Sequence, residues 1–252
     1  MKAHSIYGLK IFGSFAVGLA CIGLSMPALA ADDASIKAFS SAPLGDPPAV
    51  WKFATLPNKA PTKFSIVDLG GSRVLKVEAE DSYGNLAHAV LVKPGARSML
   101  AWRWRVDKLI ENADLTVRAG EDSPAKVCVS FAFDREKLPF GERARLTLAK
   151  SATGEEVPTQ TLCYVWDNKL AVNTGQVSVF TKRIRFIVLQ TGTGKLGQWV
   201  SEKRDVTADH QRMFGDESEG KVPDIVSVIV SADADNTHGS ALAYVGDITL
   251  VP

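Results

Sequence analysis

No stretch of this 252-residue sequence is long and apolar enough to span a bilayer. The apolar run from Ile11 to Leu24 falls short of the roughly 20 residues that a spanning helix needs, and no later segment qualifies. A charge surplus is missing as well. Lysine and arginine total 29 against 28 aspartate and glutamate, and Arg103, Arg105, Arg183 and Arg185 are interleaved with apolar residues. No nucleic-acid partner is therefore implied, because binding to a phosphate backbone needs a concentrated basic face. There is no βαβ rhythm, and "QTGTGK" at 190–195 is not a phosphate loop, since Leu189 and Leu196 stand where that motif needs Gly and Ser or Thr. Histidine is scarce, with four in the chain. No two are spaced for zinc, and no nucleophile-elbow signature supports a serine triad. His88 falls in phase with Leu86, Val90 and Val92 and reads as a core residue, whereas His210 and His238 fall in expected surface elements.

The sequence does carry a leader. Lys2 and Lys10 precede the apolar run, and Ala28-Leu29-Ala30 supplies small residues for cleavage after Ala30, the pattern of a secretory signal peptide over 1–30. Lipid attachment at Cys21 is disfavoured by Gly18. Lys2 and Lys10 are the leader's only charges, so the remaining chain has a net charge of about −1. Residues 31–48 are small, polar and Pro-rich and are expected to form a flexible arm. Residues 49–252 are expected to form a single domain in the periplasm or outside the cell. Cys128 and Cys163 lie in strand-like runs. An oxidising compartment permits them to pair, and two small buried side chains that never meet are the alternative.

Period-two alternation runs through "SRVLKVEA" (72–79), "LAHAVLV" (86–92), "SMLAWRWRV" (98–106), "KVCVSFAF" (126–133), "LCYVW" (162–166), "IRFIVLQ" (184–190), "DIVSVIVS" (224–231) and "LAYVGDITL" (242–250). These runs, with turn clusters between them, predict an all-β antiparallel sandwich of jelly-roll type. Two short helices interrupt it. One falls within 138–154, where Phe140, Ala144 and Leu148 are four apart. The other falls within 207–215, capped by Thr207 and ended by Gly215.

In "LAWRWRV", Trp102 and Trp104 share one face of the strand while Arg103 and Arg105 share the other. Such aromatics either fill the space between two sheets or form a platform for sugar rings, with the arginines as a clamp for an acidic sugar. The candidate ligand-binding set is Arg103, Arg105, Trp166 and Arg204. Near the C-terminus, Asp233, Asp235, Asn236 and Asp247 form a candidate calcium site, with Glu121 and Asp122 as alternative acids. A plain turn, in which Asp and Asn bond their own backbone, competes with it. The loop lacks the Gly and Glu that an EF-hand requires at its sixth and twelfth positions.

"LAWRWRV", "RAGEDSPAKVCVSFAFD", "CYVWDN", "EKRDVTADHQRMFG" and "SADADNTHGSALAYVGDITL", in that order, resemble the bacterial exported family catalogued as domain of unknown function three-zero-four-seven, from about Trp51 to Val251. The resemblance implies a jelly-roll or galactose-binding-like sandwich in the cell envelope and carries over no catalytic residue. Cysteines at 128 and 163 depart from it and point to a disulfide particular to this chain. The expected function is non-catalytic binding of an envelope or extracellular glycan, with a structural calcium ion. One rival is a polysaccharide lyase or hydrolase in which Arg103 or Arg105 neutralises a uronate and a Tyr or His serves as base. An envelope protein-interaction module is the other.

Overall fold

The computed structural model describes residues 35–95, 98–153 and 159–252. The expected leader, its cleavage point and Cys21 lie outside them. Among the described residues fourteen strands and two α-helices follow in chain order. They are β1 (Trp51–Ala54), β2 (Ala60–Pro61), β3 (Lys63–Asp68), β4 (Arg73–Glu80), β5 (Ser82–Val92), β6 (Met99–Lys108), β7 (Ser123–Phe131), α1 (Phe140–Thr153), β8 (Gln160–Asp167), β9 (Gly175–Val177), β10 (Ile184–Thr191), β11 (Val200–Asp205), α2 (Val206–Ser218), β12 (Ile225–Asp233), β13 (Ser240–Val245) and β14 (Thr249–Val251). They form two sheets. The eight-stranded sheet runs β1-β5-β12-β7-β8-β10-β9 with β2 beside β5, and the six-stranded sheet runs β11-β6-β13-β4-β3 with β14 beside β6. Pairing is antiparallel except between β8 and β10 and between β2 and β5, so the all-β sandwich is not purely antiparallel.

Alternation dictates the core. Trp102 and Trp104 of β6 and Tyr164 and Trp166 of β8 point between the sheets and are buried there. Trp102 meets Tyr164 at 5.3 Å and Trp104 meets Trp166 at 6.0 Å between ring centroids. Aromatic contacts of this kind add about 1 kcal/mol beyond the area they bury. Val127, Val129, Val228 and Val230 complete the layer. The space-filling reading of the tryptophans is thus the correct one.

Residues 35–48 are a packed segment, not a loose arm. Phe39 is fully buried against Trp51, Trp51 Nε1 donates to Lys37 O, and the Lys37 amide donates to His88 Nε2. One aromatic anchor and a few backbone bonds offset the ordering cost that the polar composition suggested.

Helix α2 starts one residue early because Asp205, not Thr207, accepts from the amides of Thr207 and Ala208. It runs through Gly215 and ends where Glu219 and Gly220 adopt φ of 52° and 73°. Among the described side chains of α1, Leu146 is buried, while Phe140 and Leu148 of the expected stripe face outward. The expected end at Gly154 lies outside the described residues.

Candidate functional site

The outer face of the eight-stranded sheet carries a groove of ≈ 590 Å³. Its floor follows from strand register. Ile229 of β12, Cys128 of β7, Cys163 of β8 and Phe186 of β10 are successive neighbours and form an apolar row. Beside it run Asn85, Ser231 and Lys126, and at the end stand Tyr83 and Asp233. Leu56 and Lys59, from the β1–β2 connection, form one wall, and Ser178 and Phe180 form the other. Glu142, Arg145 and Leu146 of α1 close the far end with Arg183.

Cys128 and Cys163 are directly paired across β7 and β8 and form a disulfide in this floor. Both cysteines belong to a second apolar cluster with Val165, Phe186 and Val188, on the outer face of the sheet. That cluster explains why β7 and β8 are buried along their whole length.

Lys59, Lys126 and Arg183 of the groove are each paired with a carboxylate. Lys126 Nζ lies 2.5 Å from Asp233 Oδ2, and the Ser123 amide donates to the other oxygen at 2.9 Å. Burial opposes both charges and pushes the Asp233 carboxyl up, while Asp233 carries the Lys126 ammonium above its usual range. Lys59 bonds Asp235 Oδ2 at 2.7 Å. At the opposite end Arg183 reaches Glu217 at 2.7 Å and Glu142 at 3.4 Å. Glu121 accepts from the Ser178 hydroxyl and the Val179 amide, with burial holding its carboxyl above the ordinary value. Burial likewise raises the Tyr83 hydroxyl, which keeps it protonated.

The set Arg103, Arg105, Trp166 and Arg204 does not converge. Arg103 and Arg105 project from the outer face of the other sheet. The side chain of Arg103 crosses Gly246, where an added Cβ would meet it at 2.7 Å, and its guanidinium lies 4.7 Å from the Trp199 ring centre. Arg105 is paired with Asp107. Trp166 is fully buried, donating from Nε1 to Gly192 O. Arg204 grips Asp209 of α2 through two bonds of 2.7 and 2.9 Å. His210, expected at the surface, is fully buried against Phe131 and Phe214.

Of the acids expected to bind calcium, Asp233 and Asp235 come together, joined by Asp122. Asp247 does not join them. The six residues of β13 separate it from the Asp233–Asn236 loop, and at roughly 3.3 Å per residue they carry it to the opposite end of the sheet. There its oxygens accept from the Ser40 amide and hydroxyl.

The groove itself was missed at the sequence level. Its signal lay in "KVCVSF" and "TLCYV", where the positions alternating with the core residues are Cys128, Ser130, Thr161, Cys163 and Val165, with Lys126 the one charge among them. That pattern marks strands covered on both faces.

A family model described as "Protein of unknown function (DUF3047)" matches residues 49–249. No curated protein matches the chain. Among solved structures, the family 11 carbohydrate-binding module of a cellulosomal cellulase of Clostridium thermocellum aligns at 9% identity and a TM-score of 0.41, over 88% of this chain and 96% of that one. Endoglucanase 3 of Trichoderma harzianum aligns at 9% identity and a TM-score of 0.40, over 81% of this chain and 98% of the other. Both are distant likenesses and carry no information about a ligand.

Proposed function

We propose that this chain, which belongs to the DUF3047 family of proteins of unknown function, is an exported, non-catalytic binding protein that takes a neutral oligosaccharide into the groove of its eight-stranded sheet. One observation carries the reading. The groove sets an apolar row, Ile229 to Phe186, beside polar groups among which the cations Lys59, Lys126 and Arg183 are already paired with Asp235, Asp233, Glu142 and Glu217. A polyhydroxyl ligand needs that combination, with apolar surface for its C–H faces and convergent polar groups for its hydroxyls. A free anion would find its counter-charges already engaged, Lys59 by Asp235, Lys126 by Asp233 and Arg183 by Glu217 and Glu142. Phe180, exposed at the wall, offers a ring face for stacking.

Export is supported by the Cys128–Cys163 bond, since such bonds persist in oxidising compartments. Binding is favoured over lyase chemistry with a histidine base because among the described residues no histidine lines the groove. Tyr83, its tyrosine, is held protonated by burial, which removes the base that a lyase would need.

A glycan array probed with the protein beginning at Ala31, followed by calorimetry and product analysis of each hit, tests the proposal. Phe180→Ala is expected to weaken binding by about tenfold, the loss of one stacking contact of about 1.4 kcal/mol, and Arg103→Ala to leave it unchanged. Cleaved product would establish the enzyme reading. Binding lost in Arg103→Ala and kept in Phe180→Ala would move the site to the other sheet.

A further inference from the structure

We infer that Asp122, Asp233 and Asp235 together hold a divalent cation, calcium by the chemistry of the donors, at the polar end of the groove. One carboxylate oxygen from each lies within 4.8 Å of the others, and all three residues are buried. A cluster of acids is not a site by that fact alone. The deciding observation is Asp235, which is 6% exposed and whose Oδ1 is enclosed without any hydrogen-bond partner, while Oδ2 is taken by Lys59. A buried carboxylate oxygen without a donor is costly, so it calls for a positive neighbour. The charges agree. Lys59 and Lys126 supply two ammonium groups against three carboxylates, which leaves the cluster one positive charge short.

The cluster is also built before any ion arrives. Asp233 is fixed by β12, through the Ser123 amide and Lys126. Asp122 is fixed by four bonds, from the amide and side-chain nitrogen of Asn236 and from the amide and hydroxyl of Thr237. Asn236 is therefore a positioning residue, its side chain donating to Asp122 and to Glu121 O. An all-oxygen carboxylate set without His or Cys excludes a zinc preference. Calcium tolerates an irregular set of carboxylates and waters, whereas magnesium demands a near-ideal octahedron.

The test is independent of any glycan. Chelator-treated protein is titrated with calcium, magnesium or sodium chloride by calorimetry, with the melting temperature read in parallel. Saturable calcium binding with a rise in melting temperature is expected, since an ion that binds only the folded state stabilises it. Magnesium is expected to bind more weakly. Asp235→Asn should weaken calcium at least tenfold, and Lys59→Ala, which removes a competing charge, should tighten it. Terbium emission sensitised by the neighbouring aromatic residues should appear in the wild type and fall on adding calcium, and the part due to Tyr83, which neighbours Asp233, should be lost in Tyr83→Phe. The terbium signal decides the matter should Asp235→Asn fail to fold. No calcium binding to the wild type, or undiminished binding to a folded Asp235→Asn, overturns the site.

Discussion

Lys126 Nζ and Asp233 Oδ2, 2.5 Å apart on neighbouring strands of the eight-stranded sheet, bring two opposite charges into the buried end of a groove whose floor carries an apolar row. Each desolvated charge has the other as its nearest partner, with the Ser123 amide on the second Asp233 oxygen. Lys126→Met leaves Asp233 uncompensated and is expected to cost about 3–5 kcal/mol, while the double variant Lys126→Met/Asp233→Leu should recover much of that loss. Urea denaturation of the four proteins in this cycle checks it. A double variant as unstable as the sum of the singles would show that the two residues act independently.

His210 gives the fold a pH-dependent weakness. It is buried between Phe131 and Phe214, Nε2 donates to Gln160 Oε1 at 2.8 Å, and Nδ1 has no partner. Burial, aided by the Arg185 charge, lowers its pKa from 6.5 to about 4. Between those values the unfolded chain binds a proton that the folded one does not, so stability is full above pH 6.5 and is lost as the pH falls towards 4. The loss amounts to about 3 kcal/mol at most. His210→Gln should flatten the stability profile over that interval, as read by denaturation at several pH values. An unchanged slope would assign the acid sensitivity to other groups.

The disulfide closes a loop between residues 35 apart in sequence, which the chain-entropy model values at roughly 4 kcal/mol. Reduction should lower the urea midpoint, and thiol titration of denatured, unreduced protein should find neither Cys128 nor Cys163 free. Because both sulfurs lie in the groove floor, Cys128→Ala/Cys163→Ala should also weaken whatever ligand the groove takes.

The sandwich was legible because alternation directly records which side of a strand is dry. Trp102 and Trp104 announced their face, and five of the eight expected strands stand within two residues of their place, while β5 and β7 begin four and three residues earlier than expected and the last run divides into β13 and β14. What the pattern could not convey was coverage of the second face. Cys128, Cys163 and Phe186 look like ordinary outward positions until the loops from 109 to 122 and from 168 to 182 fold over them. The site was misplaced for a related reason, since arginines beside tryptophans are conspicuous in sequence whether or not they share a cleft. Asp122 and Asp235 met only through the β7–β12 pairing, a contact between residues far apart in the chain.

Arg204 separates a structural arginine from a ligand-binding one. Its guanidinium makes a two-point bond to Asp209, which also accepts from Tyr164 Oη at 2.9 Å, so β11, α2 and β8 are joined through one carboxylate. Burial and the Asp209 charge hold the Tyr164 hydroxyl well above its ordinary range, which keeps it a donor. Removing the guanidinium would leave Asp209, 8% exposed at its side chain, without its counter-charge. Arg204→Met is therefore expected to cost about 2 kcal/mol, less than a fully buried pair because the Arg204 side chain is 25% exposed. Asp209→Asn should cost less, since its amide oxygen still accepts from Tyr164. Neither change touches the groove, so both proteins should bind its ligand with wild-type affinity when measured well below their melting temperatures. An Arg204→Met protein of wild-type stability that has lost binding would return this arginine to the ligand site and place that site on the edge of the six-stranded sheet.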